Sequence, residues 1–351
     1  MTDFSPRFVG LRQRVRDAIL SLDEKPLVVV LAAAGATIGT VLVMCAYAGW
    51  GPVLRLVFAP HAWAWLIVCL LGEVGAYAGY ALTIRDMARV DDGGDMTLDV
   101  SAKVVVGGFG VFAATRGSGG FAVDYWAFRA TGARRREAAT RVLGLGFLEY
   151  AMLSIAALAA SALLFSGLDG RAGYATTLPS LIIVPVGCAA LWATSPTRVR
   201  RLSRPRSGAV RRRIANGVAG ASYVRGLLTS PREHGLGVLG NAIYWAGDIV
   251  CLWAALQCVG SDHITVSALV LAYSGGYVLT RRSLPAGGAG FVELALTLAL
   301  VGMGLDFVPA LIGVIIYRLF NFWLPIVPAL FLIPAIRDLR QRLRRAERAP
   351  A

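Results

Sequence analysis

The sequence is poor in most of what a soluble catalyst uses. It has three histidines (His61, His234 and His263), scattered in polar stretches, so they form no histidine metal set. Its five cysteines (Cys45, Cys69, Cys188, Cys251 and Cys258) stand singly inside apolar runs. That spacing excludes zinc-ribbon and disulfide-framework classes. No Walker A loop occurs, so ATP-driven pumping is not expected. Gly235-Leu-Gly-Val-Leu-Gly240 matches a dinucleotide fingerprint in letters only, because it opens an apolar run and follows no strand. No nucleophile–base pair is legible, and no cofactor or metal is expected. The longest polar stretch, about 195–235, is too short to bury a core, so a soluble domain is excluded as well.

What is present is apolar. Of 351 residues 56% are hydrophobic, and the mean hydropathy is +0.63, which predicts an all-α polytopic membrane protein. Forty glycines fit close-packed spans, and Gly35-x-x-x-Gly39 and Gly75-x-x-x-Gly79 have small-xxx-small spacing. That spacing leaves a homo-oligomer open, with packing inside one chain its commoner use. The formal net charge is +14, but the basic residues lie in loops and tails, where membrane topology accounts for them, so nucleic acid is not an expected partner.

Residues 6–22 place Phe8, Leu11, Val15, Ile19 and Leu22 on one helical face opposite arginines, which predicts a cytoplasmic interfacial helix over 1–26. The run that follows is long enough to remain as an anchor. Apolar segments occupy about 27–49, 62–84, 97–128, 139–166, 176–195, 236–258, 264–304 and 307–335. An N-terminal transmembrane half (27–195) is thus separated from a C-terminal half (236–335) by an arginine-rich loop (196–235), and a basic tail covers 336–351. Loop charge places the loop and both termini in the cytoplasm. The segment 97–128 has basic residues beyond both ends yet only 32 residues, too few for two crossings. A re-entrant hairpin with its tip at Arg116-Gly117-Ser-Gly119-Gly120 satisfies both constraints. The segment 264–304 reads as a second hairpin or as two full spans. About six spans plus two inverted hairpins is the expectation, with eight or more full spans as the alternative. The order span, broken segment, long span occurs twice, and each leading span carries one mid-segment acid, Glu73 or Asp248.

Two groups of residues could carry chemistry. Arg116, Arg281, Arg282 and Arg318 could grip a phosphate, since a guanidinium stays charged and offers a planar fork. They lie beside backbone breaks at Gly117, Gly119 and Gly120 and at Pro285, Gly287, Gly288 and Gly290. Glu73, Glu149, Asp248 and Glu293 could neutralise those arginines, carry a coupling proton or receive an amine. For Glu293 the competing reading is a first-turn acid that complements its own helix dipole. For Glu149 and Asp248 it is a structural ion pair.

Leu284-Pro-Ala-Gly-Gly-Ala-Gly-Phe-Val-Glu293, with Tyr317-Arg318-Leu and Phe322-Trp323-Leu-Pro325, resembles the lysylphosphatidylglycerol synthase transmembrane-region family. The resemblance implies a lipid translocation module of a bacterial inner membrane. It carries phosphate recognition onto Arg318 and the 285–293 break, and less securely onto Arg116. The sequence ends about thirty residues after Trp323, so lysyl transfer is not expected from it. The leading expectation is a flippase for an anionic, phosphate-bearing lipid, either a phospholipid, an aminoacyl-phospholipid or a polyprenyl-phosphate carrier. A membrane-embedded enzyme acting on a lipid phosphate and a scaffold for a soluble partner are the alternatives.

Overall fold

The computed structural model describes residues 26–59, 62–90, 94–113, 119–170, 173–193, 231–261, 264–276, 285–332, 334–335 and 341. The interfacial helix expected over residues 1–26, most of the 196–235 loop and nearly all of the tail lie outside them, as do Arg116, Gly117, Arg281 and Arg282. Among the described residues the chain is all helical, with no strand.

In chain order the helices are α1 (Pro26–Ala48), α2 (Trp50–Val57), α3 (Trp65–Arg89), α4 (Leu98–Ala113), α5 (Gly119–Ala130) and α6 (Arg135–Ser166). They continue as α7 (Tyr174–Ala193), α8 (Pro231–Cys258), α9 (Val266–Gly276), α10 (Phe291–Gly302) and α11 (Phe307–Arg318). A 3-10 turn, Pro285–Gly288, lies between α9 and α10. A π turn, Leu319–Trp323, follows α11. The helix then resumes, so that one apolar run extends over Phe307–Leu332.

Among the described residues, five runs are long and apolar enough to cross a bilayer: Val28–Ala48, Trp65–Arg89, Arg135–Ser166, Gly235–Cys258 and Phe307–Leu332. Their outward faces are hydrocarbon, as at Leu31 and Val43 (both 70% exposed) and Phe331 (80%), which suits lipid as the surrounding medium. The chain is therefore a multi-pass membrane protein. Among the described residues of the two broken segments no helix matches these in length, since α4 has 16 residues, α5 12, α9 11 and α10 12. α2 is not anticipated by the apolar pattern. Gly49, at φ 84°, turns the chain out of α1, and α2 packs Val53 against Met44, Cys45 and Leu311.

The spine of the fold is the antiparallel pair α3 and α8. A β-carbon on Gly79 would lie 2.4 Å from the Gly240 carbonyl oxygen, and one on Gly247 would lie 2.4 Å from that of Gly72. The two backbones therefore touch at two points spaced seven residues apart on each helix. Cys69 Sγ extends the seam by donating to the Cys251 carbonyl at 3.5 Å. At one end Asp86 accepts the Gly237 N–H at 2.9 Å, and Thr83 donates to the Gly237 carbonyl at 3.1 Å. The small-xxx-small motifs contribute only Gly79, since Gly35, Gly39 and Gly75 face open space. The remaining helices surround this spine. α4 and α5 pack on each other, α9 packs on α10 and α6, and α11 lies against α8.

Candidate functional site

The 285–290 break is built by residues that cannot continue a helix. Pro285 lacks an N–H, and Gly287, Gly288 and Gly290 take φ of 60°, 70° and 84°, a region costly for any residue with a β-carbon. Gly290 also lies under α1, where an added β-carbon would come within 2.8 Å of Thr40 Oγ1. α10 starts directly after the break, and Glu293 in its first turn accepts the Gly290 N–H at 2.7 Å through Oε2. Its other oxygen accepts Arg318 Nε at 2.9 Å and Thr37 Oγ1 at 3.4 Å.

Arg318 and Glu293 are 2% and 0% exposed, so this is a fully buried ion pair. The guanidinium also lies 4.3 Å from the centre of the Phe322 ring and points NH2 at the Gly287 carbonyl, 3.4 Å away. One arginine thereby ties the end of α11 to the break. Glu293 thus contacts both its own helix start, at the Gly290 N–H, and an arginine.

A second network lies one residue away on α11. Asp248 accepts hydrogen bonds from Tyr317 Oη at 2.9 Å, from Asn321 Nδ2 at 2.7 Å and from the Tyr273 hydroxyl. The same Asn321 nitrogen donates to Glu73 Oε1 at 3.2 Å. A primary amide has two N–H groups, so each carboxylate can take one. Glu73 and Asp248 directly follow Gly72 and Gly247, the glycines that bring α3 and α8 into contact. The mid-segment acids of the two halves thus meet at the spine, joined by an amide from a third helix. All five side chains are buried.

Asn321 reaches this position because of the π turn. Pro325 lies four residues after Asn321, and its ring would collide with the Asn321 carbonyl in a regular α-helix. The π turn over Leu319–Trp323 relieves the clash and directs both Asn321 and Phe322 inward. Phe322 then meets Phe109 of α4, with ring centres 6.1 Å apart, and Phe109 meets Tyr77 of α3 at 5.8 Å. α4 also packs against the Pro285–Gly288 turn, so the two broken segments touch.

The structure therefore brings together Glu293 with Arg318, and Glu73 with Asp248. Glu149 comes from α6 and is buried, with its backbone carbonyl accepting Trp245 Nε1 at 3.0 Å. Gly119 and Gly120 open α5. Tyr273 and Asn321 are the members that sequence reasoning missed. Pro325 inside an apolar helix is the one signal that could have pointed to Asn321.

No His/Cys/Asp/Glu group among the described residues could hold a metal ion. Chemically the site is a pair of adjoining cells in an apolar bundle. One holds a cation against an anion, and the other holds two acids with neutral donors.

The family model for the lysylphosphatidylglycerol synthase TM region matches residues 27–329. The chain belongs to this family. The match extends from α1 through Ala329, so both broken segments and the whole site fall inside the family's region. No curated protein matches the chain. Membership assigns the chain a membrane region associated with lipid.

Proposed function

We propose that the chain moves an anionic, phosphate-bearing lipid between membrane leaflets, with a passage formed where the two broken segments meet. The observation that carries this reading is the contact between α4 and the Pro285–Gly288 turn, with the buried Arg318–Glu293 pair immediately beside it. A buried arginine is costly to keep in hydrocarbon, and in this family region a lipid phosphate is a ligand that could exchange with its carboxylate. In this reading α4–α5 and α9–α10 are re-entrant hairpins. The antiparallel α3–α8 spine relates two inverted halves, and movement of the halves exposes Arg318 to each leaflet in turn.

Arg116, Arg281 and Arg282 would extend the cradle from the turns of the two hairpins. Glu293 would neutralise Arg318 between transport events, and Glu73, Asp248 and Glu149 would balance or couple charge. The headgroup would be that of a phospholipid, an aminoacyl-phospholipid or a polyprenyl-phosphate carrier. The reading is of a transporter in a bacterial inner membrane with both termini cytoplasmic, and not of an enzyme.

The test uses purified protein in liposomes with a labelled anionic phospholipid and a leaflet-selective quencher. Arg318→Gln and Arg318→Lys should both lose translocation while the protein remains folded by circular dichroism, because a lysine does not reproduce the planar fork. If Arg318→Gln and Arg116→Gln leave translocation at the level of the unaltered protein, the phosphate cradle is wrong.

A further inference from the structure

A groove of about 560 Å³ opens between α6, α7, α9 and α10, away from the buried charges. We infer that it holds one hydrocarbon chain of the transported lipid, and so serves as a tail site paired with the headgroup site; this rests on the translocation reading above.

Three observations define the occupant. First, three of the hydroxyls along the groove already donate to backbone carbonyls. Ser274 Oγ donates to the Val270 carbonyl at 2.7 Å, Thr176 Oγ1 to Gly173 at 2.6 Å and Ser180 Oγ to Thr177 at 3.0 Å. The remaining wall is mostly aliphatic, including Leu153, Ile183, Leu298 and Met303. Such a surface suits methylenes and offers a headgroup little.

Second, glycine keeps the groove open. Gly275 and Gly302 both line it, and a β-carbon on either would meet nothing within 4 Å. Neither has a positive φ. Packing and backbone conformation therefore do not require glycine at these two positions, and larger side chains would project into the groove.

Third, the groove and the polar site share two helices. α9 and α10 are the two helices flanking the Pro285–Gly290 break, and they cross closely where Gly276 meets the Leu296 backbone. Tyr273, between the groove residues Ala272 and Ser274, turns to the other side of α9 and donates to Asp248. Glu293 starts the helix whose far end, at Leu298, Gly302 and Met303, forms the groove wall. A lipid with its phosphate near the break would thus have a chain path along the outer face of the same two helices. Ile183 on the groove edge is 68% exposed, and an apolar side chain so exposed suits hydrocarbon as the surroundings of that face. The mostly aliphatic lining and the family's association with lipid both favour a lipid chain over a second protein copy as the occupant.

The experiment uses full-length protein in vesicles containing phosphatidylglycerol with a photoreactive diazirine in one acyl chain. Cross-linked residues are mapped by mass spectrometry. Labelling should concentrate on Ser274, Leu298 and Met303. The double substitution Gly275→Leu and Gly302→Leu should reduce it at least about fivefold, the effect of excluding one or two methylenes. It should slow translocation in the same vesicles. Gly35→Leu adds the same bulk where Gly35 of α1 faces open space, and it should change neither readout.

Labelling spread evenly over α1 and the groove, or unchanged by the double substitution, overturns the tail site. So does a monomer–dimer shift in the double variant, which would assign the groove to a second copy. If the groove labels as expected but the unaltered protein translocates no lipid, the translocation reading fails and lipid binding at the groove stands.

Discussion

The two buried cells of the site are built on opposite principles, although Tyr317 and Arg318 are adjacent in sequence. Arg318 and Glu293 form a local ion pair within the C-terminal half, between the end of α11 and the start of α10. The second cell joins both halves. Glu73 from α3 and Asp248 from α8 share the Asn321 amide, and two tyrosine hydroxyls support Asp248. An ion pair gains its strength from charge, and removing one partner leaves a stranded charge. A carboxylate held by amide and phenol donors depends on geometry instead, because each such bond contributes only modestly. In the translocation proposed above, the first cell would exchange its carboxylate for a competing anion, and the second would register how the two halves sit.

The largest effect should come from forcing the second cell apart. Gly247→Leu places a side chain where the Gly72 carbonyl oxygen would be 2.4 Å from its β-carbon. The loss should be at least about 3 kcal/mol, the upper range for overpacked cores. The measurement is the thermal midpoint in detergent. Gly75→Leu, on α3 but facing open space, should leave that midpoint unchanged.

Of similar size is the effect of breaking the ion pair. Glu293→Ala strands Arg318 and should cost about 3–5 kcal/mol. A joint Glu293→Leu and Arg318→Met replacement should recover most of that loss, since apolar residues of similar volume often substitute for buried pairs without penalty. If the joint variant is as unstable as the single one, the contribution of Arg318 lies in packing on Phe322 rather than in charge. A smaller effect is expected for Asn321→Leu, which removes one donor from each carboxylate and should cost about 1–3 kcal/mol. In a double-mutant cycle with Asp248→Asn, Asn321→Leu should show coupling. With Glu293→Gln, in the other cell, it should be nearly additive.

How much of this the sequence revealed follows from which residues carry charge. Arg318, Glu293, Glu73 and Asp248 are conspicuous in apolar sequence because hydrocarbon penalises them, and the broken segments announce themselves through proline and glycine. Tyr273 and Asn321 bring no such penalty and look like ordinary residues of a helix interior. The contact glycines were hidden by their spacing. Gly72 and Gly79 on one helix, and Gly240 and Gly247 on the other, are seven apart, whereas the search pattern for close helix packing is four. Partner choice was out of reach altogether. Nothing local indicates that Glu293 and not Glu73 takes Arg318, because that depends on where the turn at Pro285 folds back onto α11.

The last prediction concerns the support of α9, the helix that brings Tyr273 to Asp248. Asp169, in the turn after α6, accepts the Ser267 N–H at 2.9 Å, and its carbonyl accepts Thr265 Oγ1 at 3.0 Å, so this turn anchors the start of α9. Hydrogen bonds from the Ser267 side chain and then the Ser267 backbone hold the Asp169 carboxyl below its ordinary value. A depressed carboxylate adds stability that is fully present above its unfolded pKa of about 4 and fades as pH falls through the lower folded value. Unaltered protein should therefore lose part of its thermal stability between about pH 4 and lower values, and Asp169→Asn should flatten that part of the profile. At neutral pH the variant should shift the midpoint only slightly, because Asp169 is only partly buried and solvent weakens such bonds. If α9 needs this anchor to bring Tyr273 to Asp248, Asp169→Asn should reduce the coupling between Asn321 and Asp248 and leave the Arg318–Glu293 cycle unmoved. Equal changes in both cycles would mean that the two cells respond as one unit, and the contrast between them would not hold.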